Sequence, residues 1–206
     1  CGEPGLAWLR SLPDDYMTKK QTVSYAGLFD DVGADAWYAP SVDYVKYGRL
    51  MYGTGNNLFQ PDAQMTRAMF AQVLYALEGS PSVRGLSCPF ADAGGSWYTD
   101  AVIWAYHAGV VAGVSATQFA PNEVLTREQM VTMLYGYAGR DEQLSGSDGA
   151  LASYQDQASV SGWAREAMAW AVSTGVITGT STTTLAPQKI GTRAEVATVL
   201  MQFCEQ

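Results

Sequence analysis

The sequence has few of the residues that build metal sites and catalytic centres. It contains three cysteines and one histidine, His107, and no two cysteines form a CxxC pair, so a Cys/His zinc site is not expected. It has no nucleophile elbow and no phosphate-binding glycine loop, and His107 is interpreted as a surface or satisfied interior histidine. The sequence therefore predicts a protein that is not an enzyme and that uses no metal or cofactor.

Basic charge and long hydrophobic runs are also scarce. Twelve Lys and Arg residues stand against 20 Asp and Glu, a net charge of -8, which argues against nucleic acid as a partner because its binding depends on neutralising phosphates. No apolar run approaches the roughly 18 to 20 residues that cross a bilayer, so no transmembrane segment is predicted. The first residues, Cys1 and Gly2, are typical of a mature bacterial lipoprotein and equally of a trimmed chain, which leaves a lipid anchor at Cys1 open.

One segment is repeated three times. Each copy runs without a gap from a Trp to a Thr-Arg pair, and the Trp-to-Thr spacing is 29 residues. The copies start 60 and then 66 residues apart. The aligned positions are Trp37, Trp97 and Trp163; Gly53, Gly113 and Gly179; Phe59, Phe119 and Leu185; Pro61, Pro121 and Pro187; and Thr66-Arg67, Thr126-Arg127 and Thr192-Arg193. The segment that connects the second copy to the third is longer than the one before it and contains a Gly/Ser-rich stretch, 145–150, which is interpreted as a flexible linker.

Two helices are predicted in each copy. A short helix follows the Trp, with an apolar pair on one face: Val42 and Val45, Val102 and Ala105, or Met168 and Ala171. Gly109 and Gly175 suit the left-handed position after this helix, whereas the first copy has Gly48 and Arg49 there and is expected to end differently. A second helix starts at the Thr, and its apolar residues recur at i, i+3, i+4 and i+7, which predicts one buried stripe. Helix pairs this short cannot bury their stripes alone, so the copies are expected to pack together.

These features together resemble the S-layer homology family. The first copy reads Phe29-x-Asp31-Val32, Trp37-Tyr38, Gly53, Phe59-x-Pro61 and Thr66-Arg67-Ala68. The second copy repeats the pattern from Phe90-x-Asp92 and the third from Tyr154-x-Asp156. The third copy alone has the complete Thr-Arg-Ala-Glu motif, at 192–195, and Tyr154 and Leu185 replace two phenylalanines there.

The resemblance implies an all-α fold in which three helix-loop-helix repeats pack as one pseudo-threefold module with grooves between neighbours. The implied boundaries are an N-terminal extension at 1–27 and repeats at 28–86, 87–150 and 151–206. The implied function is non-covalent anchoring of a bacterial surface protein, outside the cell, through an anionic and often pyruvylated secondary cell-wall polysaccharide. Some relatives bind modified peptidoglycan instead. The alternative is an interaction or structural module that binds a protein partner, or nothing.

The repeated arginines are the main candidates for ligand contact. The resemblance implies this role for Arg67, Arg127 and Arg193, and each is expected at the start of a helix, where a cation opposes the positive end of the helix dipole. A guanidinium beside free backbone N–H groups would bind a carboxylate, and an Arg-to-Ala change would then weaken binding and leave the fold intact. The alternative is a structural arginine paired with a repeated aspartate of a neighbouring copy.

Tryptophans, glycines and aspartates complete the candidate site. The tryptophans would stack on a sugar face, although packing in the core is the favoured interpretation. The glycines permit a positive φ or a close backbone approach, with a plain turn favoured over ligand contact. The candidate ligand-binding residues are Arg67, Arg127, Arg193, Asp31, Asp92, Asp156, Trp37, Trp97, Trp163, Gly53, Gly113 and Gly179.

The two ends of the chain carry further expectations. In the first 27 residues, Leu6, Trp8, Leu9 and Leu12 predict a short amphipathic turn docked on the module. If the ends meet with Cα atoms within about 7 Å, Cys1 and Cys204 would be placed to form a disulfide.

Overall fold

The computed structural model of the protein describes residues 28–140 and 144–206. This part of the chain contains the α-helices α1 Ala39–Tyr47, α2 Arg67–Leu77, α3 Thr99–His107, α4 Arg127–Ala138, α5 Arg165–Ser173 and α6 Arg193–Cys204. Three short 3-10 helices, Asp148–Ser153, Gln157–Ser159 and Gly162–Ala164, precede α5. Extended segments of the described residues meet only in isolated bridges, so they form no sheet, and the predicted all-α class is confirmed.

Each copy contributes the predicted short helix and long helix. The apolar pairs of the short helices are fully buried at Val42, Val45, Val102, Ala105, Met168 and Ala171. The stripes of α2 and α4 are buried as well, whereas in α6 Phe203 is half-buried and Cys204 is buried beside it. Burying a large aliphatic side chain stabilises a fold by about 1.5–3 kcal/mol, so these stripes are the main reason that the helices pack.

The long helices begin at the repeated threonines. In α4, Thr126 Oγ1 accepts the Gln129 N–H at 3.3 Å, and Gln129 Oε1 accepts the Thr126 N–H at 3.0 Å. Helix α6 begins with the same reciprocal capping box. In α2, Thr66 accepts the Met69 N–H at 3.3 Å, but the Met69 side chain has no oxygen to return the bond.

The short helices all end on a left-handed residue. Gly109 after α3 has a φ of 72° and Gly175 after α5 has a φ of 77°, as the sequence predicts. In the first copy, Arg49 occupies the equivalent position and has a φ of 57°. The backbone at the end of this helix is therefore left-handed in all three copies, which contradicts the prediction that the first copy ends differently. The left-handed conformation costs about 1–2 kcal/mol for a residue with a side chain. Arg49 therefore carries an energetic cost that the glycines of the other two copies avoid.

The Gly/Ser-rich stretch at 145–150 is packed, which corrects its interpretation as a flexible linker. A Cβ atom on Gly146 would overlap the backbone nitrogen of Trp170 in α5. The 3-10 helix Asp148–Ser153 follows at once, and Leu151 in it is fully buried. The absence of a side chain at Gly146 therefore lets two backbones approach each other.

Contacts divide the described chain into two compact units. One unit holds 28–63, 76–79 and 192–206, and within it α6 packs on α1. The other holds the described residues of 64–75 and 80–191, and within it α4 packs on α5. In both units the long helix of one copy packs on the short helix of another. A repeat is thus a unit of sequence but not a unit of packing, and the repeat boundaries given above stay a prediction.

A ring of three backbone hydrogen bonds joins equivalent residues of the copies within the second unit. Met65, Leu125 and Gly191 each stand directly before a repeated threonine. The Leu125 N–H donates to the Met65 carbonyl at 2.9 Å, the Gly191 N–H to the Leu125 carbonyl at 2.9 Å, and the Met65 N–H to the Gly191 carbonyl at 3.1 Å. Each copy gives one bond and receives one, which is the pseudo-threefold relation that the repeats predict, seen at these residues.

The expectations for the chain ends have different outcomes. Residues 1–27, with the predicted amphipathic turn and the lipid anchor at Cys1, lie outside the described residues. Cys204 in α6 is a free, buried thiol, which contradicts a disulfide to Cys1. Burial raises the pKa of Cys204 to about 12, so the thiol is protonated at neutral pH. Within the described parts of the chain, every helix is too short or too polar to span a membrane.

Candidate functional site

The loop of each copy is held by one aspartate and one arginine, which contact the same loop residue from its two sides. In the first copy, Asp31 accepts the N–H of Phe59 at 2.8 Å and the N–H of Gln60 at 2.7 Å. Arg193 Nε donates to the Phe59 carbonyl at 2.7 Å, and its Nη2 donates to the Tyr52 carbonyl at 2.6 Å. We call this group the first loop clamp.

Two further loop clamps have the same geometry. The second consists of Asp92, Phe119, Ala120, Arg67 and Ala112, and the third of Asp156, Leu185, Ala186, Arg127 and Thr178. The arginine Nε lies 2.8 Å from its loop carbonyl in the second clamp and 3.2 Å in the third. The aspartate and the arginine of a clamp come from different copies, so each clamp joins the long helix of one copy to the loop of another.

The aspartates stabilise a left-handed residue in each loop. Gln60, Ala120 and Ala186 have φ values of 57°, 58° and 54°, and each donates its N–H to the clamp carboxylate. The left-handed conformation costs about 1–2 kcal/mol. A hydrogen bond to a charged acceptor contributes up to about 1.5–3 kcal/mol and less where water screens the carboxylate, so it offsets part of that cost.

The environment of the clamps changes the pKa of two aspartates, Asp92 and Asp156, and of two arginines, Arg67 and Arg193. Burial acts to raise the pKa of Asp92, but hydrogen bonds from loop N–H groups and the charge of Arg67 outweigh it and hold the pKa below its usual value. The pKa of Asp156 is lowered first by a hydrogen bond from a loop N–H. Burial lowers the pKa of Arg67 and of Arg193. Because an arginine pKa starts above about 12, both guanidinium groups stay charged at neutral pH.

The arginines are more buried than an open anion site requires. Arg67 and Arg127 are 8% and 5% exposed, and Arg193 is half-buried. The guanidinium carbon of Arg67 lies 4.7 Å from the ring centroid of Phe119, and that of Arg193 lies 4.6 Å from the ring centroid of Phe59. In the part of the chain that the structure describes, the Nη1 groups of Arg67 and Arg193 have no hydrogen-bond partner.

The starts of the long helices offer no free amides at their first three positions, which corrects the part of the predicted anion site that relied on free backbone N–H groups. In α2, the Arg67 N–H donates to the Glu123 carbonyl at 2.9 Å and the Ala68 N–H to the Pro121 carbonyl at 3.0 Å. The first two N–H groups of α4 and of α6 donate to loop carbonyls of another copy in the same way. The third N–H of each helix is capped by the repeated threonine. The arginine and the aspartate of each clamp meet through a shared loop residue, and the choice between ligand contact and a purely structural role stays a prediction.

The three tryptophans lie on the surface, which corrects the favoured core interpretation. Trp37, Trp97 and Trp163 are 65%, 63% and 60% exposed. The rings of Tyr38 and Tyr98 meet the first two edge-on, with centroids 5.3 and 5.1 Å apart. An exposed indole thus recurs at the same place in every copy, and core packing cannot account for that.

The repeated glycines serve close packing. A Cβ atom on Gly53 would lie 2.7 Å from Cε1 of Phe29, and one on Gly179 would lie 2.6 Å from Cε1 of Tyr154. A Cβ atom on Gly113 would overlap the equivalent ring of the second copy. None of the three has a positive φ, so the geometry supports the close-approach interpretation, and the groups that approach are an aromatic ring and a backbone carbonyl oxygen of the loop.

Comparison with known proteins places these residues in a family. The chain matches the family model of the S-layer homology domain at residues 28–71, 89–131 and 153–197. The chain belongs to the S-layer homology family. The three matched segments contain every aspartate, arginine and tryptophan of the candidate site, so each copy of the S-layer homology domain carries one complete set.

The relatives of this S-layer homology chain include surface-layer proteins and enzymes. Exoglucanase XynX of Acetivibrio thermocellus is 28% identical over 86% of this chain and 16% of its own length. S-layer protein sap of Bacillus anthracis is 28% identical over 89% of this chain and 22% of its own length. An endoglucanase of Bacillus sp. (strain KSM-635) is 30% identical over 87% of this chain and 19% of its own length. The chain thus spans between 16% and 22% of the length of these relatives.

Sequence reasoning missed two features of the site. The carbonyl acceptors of the arginines belong to the backbone, which carries no residue-type signal. The second feature is Glu128, which is 2% exposed beside the third clamp. Its signal was available, because the equivalent residues of the other copies are Ala68 and Ala194.

Proposed function

We propose that this S-layer homology domain anchors the protein that carries it to the bacterial cell surface by binding a cell-wall glycan. The observation that carries the proposal is the exposed indole ring at the same place in each copy. An aromatic ring with one face in water presents a large, rigid apolar surface, and such a surface suits stacking on the apolar face of a sugar ring. Three such rings provide several contacts to one repetitive polymer, which raises its overall affinity.

The kinds of relatives support an anchoring role. The same segment is shared by a protein named for the S-layer and by two glucanases, so it fits a role that is independent of the rest of each protein. The chain spans less than a fifth of the two glucanases, and their activities are not carried over to it. We propose binding without catalysis for this chain, outside the cell at the wall.

The clamp arginines support an anionic glycan, such as a pyruvylated secondary cell-wall polysaccharide. Each clamp fixes its guanidinium through Nε and Nη2, and in Arg193, which is only half-buried, this leaves Nη1 for a ligand. A carboxylate on the sugar would accept a charge-assisted hydrogen bond from Nη1. Because the loop already orders the side chain, less conformational entropy is lost on binding.

The test is a binding titration on purified sacculi, before and after removal of the secondary polymer. We expect binding to be lost with the polymer. Replacing Trp37, Trp97 or Trp163 by Ala should each weaken binding about five- to tenfold, which corresponds to roughly 1–1.4 kcal/mol. Melting curves should stay unchanged because the side chains are exposed. Leu86→Ala is the matched control, since Leu86 is 44% exposed but lies outside the repeated positions.

The alternative polymers and the alternative function are outcomes of the same titration. Binding that survives removal of the secondary polymer would favour modified peptidoglycan. Wild-type affinity in all three tryptophan variants would contradict glycan stacking and favour the alternative, an S-layer homology fold used as a protein-interaction or structural module.

A further inference from the structure

Helix α4 holds a buried carboxylate directly after the clamp arginine Arg127. Glu128 is 2% exposed, although a buried charge is costly unless hydrogen bonds satisfy it. Its Oε1 accepts the Ser161 hydroxyl at 2.7 Å and Gln188 Nε2 at 2.8 Å, and its Oε2 accepts the Ser161 N–H at 3.0 Å. The position near the start of α4 also favours a negative charge. Glu128 is therefore satisfied by neutral groups of another copy.

These bonds tie α4 to the segment that carries Trp163. Ser161 directly precedes the 3-10 helix Gly162–Ala164, in which Trp163 is the middle residue, and this turn packs on α4. Gln188 Nε2 also donates to the Ser159 carbonyl at 3.1 Å. The backbone is thus held at 159 and at 161, just before the exposed indole.

The sequence provides this network in one pair of copies. Glu128 belongs to the second copy, and Ser161 and Gln188 to the third. Where the helix of the first copy meets the second copy, the equivalent residues are Ala68, Gly95 and Asn122. Where the helix of the third copy meets the first, they are Ala194, Asp35 and Asp62. An alanine side chain accepts no hydrogen bond, so neither of those pairs can form the same tie. The other two copies share an alanine at the position of Glu128, whereas the positions of Ser161 and Gln188 differ in every copy, and the structure brings these three residues into contact.

A second difference explains why the third copy needs such a tie. Trp37 and Trp97 are each followed by a tyrosine whose ring meets the indole edge-on. Trp163 is followed by Ala164, which offers no ring. The support that a neighbouring tyrosine gives the first two indoles is absent at this position of the third copy.

We infer that Glu128 is a positioning residue for Trp163, holding its turn in the orientation that a sugar ring meets. The inference rests on the proposed function, because the positioning acts through glycan binding. Glu128 thereby supplies in the third copy the support that the tyrosine next to the tryptophan supplies in the other two copies. By ordering the turn before binding, it reduces the entropy that the turn loses in the complex.

The test is a double-mutant cycle on sacculi that carry the secondary polymer. Glu128→Ala introduces the residue that the other two copies have, and it should weaken binding nearly as much as Trp163→Ala does, about fivefold. The double variant Glu128→Ala with Trp163→Ala should be no weaker than Trp163→Ala alone, because both changes remove one contribution. Combined with Trp37→Ala, the Glu128→Ala loss should multiply instead, to about 25-fold, since Trp37 belongs to another copy.

Two further variants separate positioning from stability. Glu128→Gln keeps the oxygen that accepts from the Ser161 hydroxyl and Gln188, and it should recover part of the affinity. Ser161→Ala removes the hydroxyl bond alone and should weaken binding by a smaller factor, which gives a result even if Glu128→Ala proves unstable. Melting curves of all variants identify any loss that is only structural.

The outcomes distinguish this inference from the proposed function. Wild-type affinity in Glu128→Ala and Ser161→Ala, with weakened binding in Trp163→Ala, overturns the inference and leaves the proposed function standing. A double variant that shows the full product of the two losses also overturns it. Unchanged binding in every tryptophan variant overturns the proposed function, and the inference with it.

Discussion

The clamp arginines stabilise the fold, whatever role they have in binding. Each donates to two loop carbonyls, and Arg67 and Arg127 are almost wholly buried, so removal of either side chain leaves the carbonyl of a buried loop residue, Phe119 or Leu185, without this donor. The structure thereby reverses the expectation that an Arg-to-Ala change leaves the fold intact. Any binding measured on such variants has to be read together with their stability.

Arg67→Ala should lower the free energy of unfolding by about 2–3 kcal/mol, because it removes two charge-assisted hydrogen bonds in a buried setting. Urea unfolding at pH 7 measures this. Arg165→Ala is the matched control, since Arg165 forms an exposed ion pair with Asp148 at 3.3 Å and should lose less than about 1 kcal/mol. Equally small losses in the two variants would show that the clamp contributes little to folding.

Asp43 in α1 is a buried carboxylate whose charge opposes folding. It is 4% exposed, and among the described residues its Oδ1 finds no hydrogen-bond partner. Burial raises its pKa to about 6, against roughly 3.9 in an unfolded chain. The folded state therefore binds this proton more tightly, and the stability gained is fully present below about pH 4 and lost as the pH rises through 6.

Asp43→Asn should raise the free energy of unfolding by about 1–3 kcal/mol at pH 8 and change it little at pH 4, because the amide cannot ionise. Urea unfolding of both proteins at the two pH values provides the comparison. A gain of the same size at both would point to packing or hydrogen bonding and would contradict the charge explanation.

At the scale of helices, the starts of α2, α4 and α6 connect the copies. Their first N–H groups donate to loop carbonyls of other copies, and their threonines cap the third. Helix α4 completes the capping box with Gln129, whereas α2 has Met69 at that place. The first copy thus carries a helix start that one substitution can improve.

Met69→Gln should raise the free energy of unfolding by about 0.5–1 kcal/mol, because a side-chain oxygen would accept the Thr66 N–H. Met69 is 36% exposed, so little packing is lost. For a chain of this size the gain corresponds to a melting point about 1–4 °C higher. The reverse change in α4, Gln129→Met, is the control and should lower the melting point by a similar amount. If neither change moves the melting point, the reciprocal bond contributes nothing to stability.

At the scale of the whole molecule, two groups of carboxylates respond to pH in opposite directions. In Asp92 and Asp156 the folded pKa is depressed, so their contribution to stability is present above about pH 3.9 and is lost as the pH falls through the folded value. Asp43 adds stability as the pH falls from 6 towards 4. The free energy of unfolding should therefore be highest in the mildly acidic range, between about pH 4 and 6.

The clamp carboxylates should carry the acid side of this profile. Asp92→Asn is expected to lower the urea midpoint at pH 7, because an amide offers only one acceptor oxygen to two N–H groups. The same variant should lose less additional stability than the wild type between pH 5 and pH 3, because the titrating group is gone. Asp35→Asn, an exposed site, controls for the change in net charge. Parallel wild-type and Asp92→Asn profiles would show that other groups cause the acid loss.

Local rules were sufficient for the helices and their ends. The apolar spacing of α2 and α4 predicts their buried stripes, Gly109 predicts the end of α3, and Thr126 with Gln129 predicts the capping box. These features depend on residues within a few positions of each other along the chain. The three repeats also predict the pseudo-threefold relation that the ring of hydrogen bonds before the threonines displays.

Only the tertiary structure decided what the site residues contact. The partner of each arginine is a backbone carbonyl of another copy, and all carbonyls look alike in a sequence. The tryptophans precede amphipathic helices, so their pattern fits burial as well as exposure, and the packing around them settles which side chain reaches water. The role of Gly146 was likewise open in the sequence, because a glycine permits both a flexible turn and a close approach of two backbones. The backbone of α5 lies against Gly146, so the close approach is the role that the structure shows.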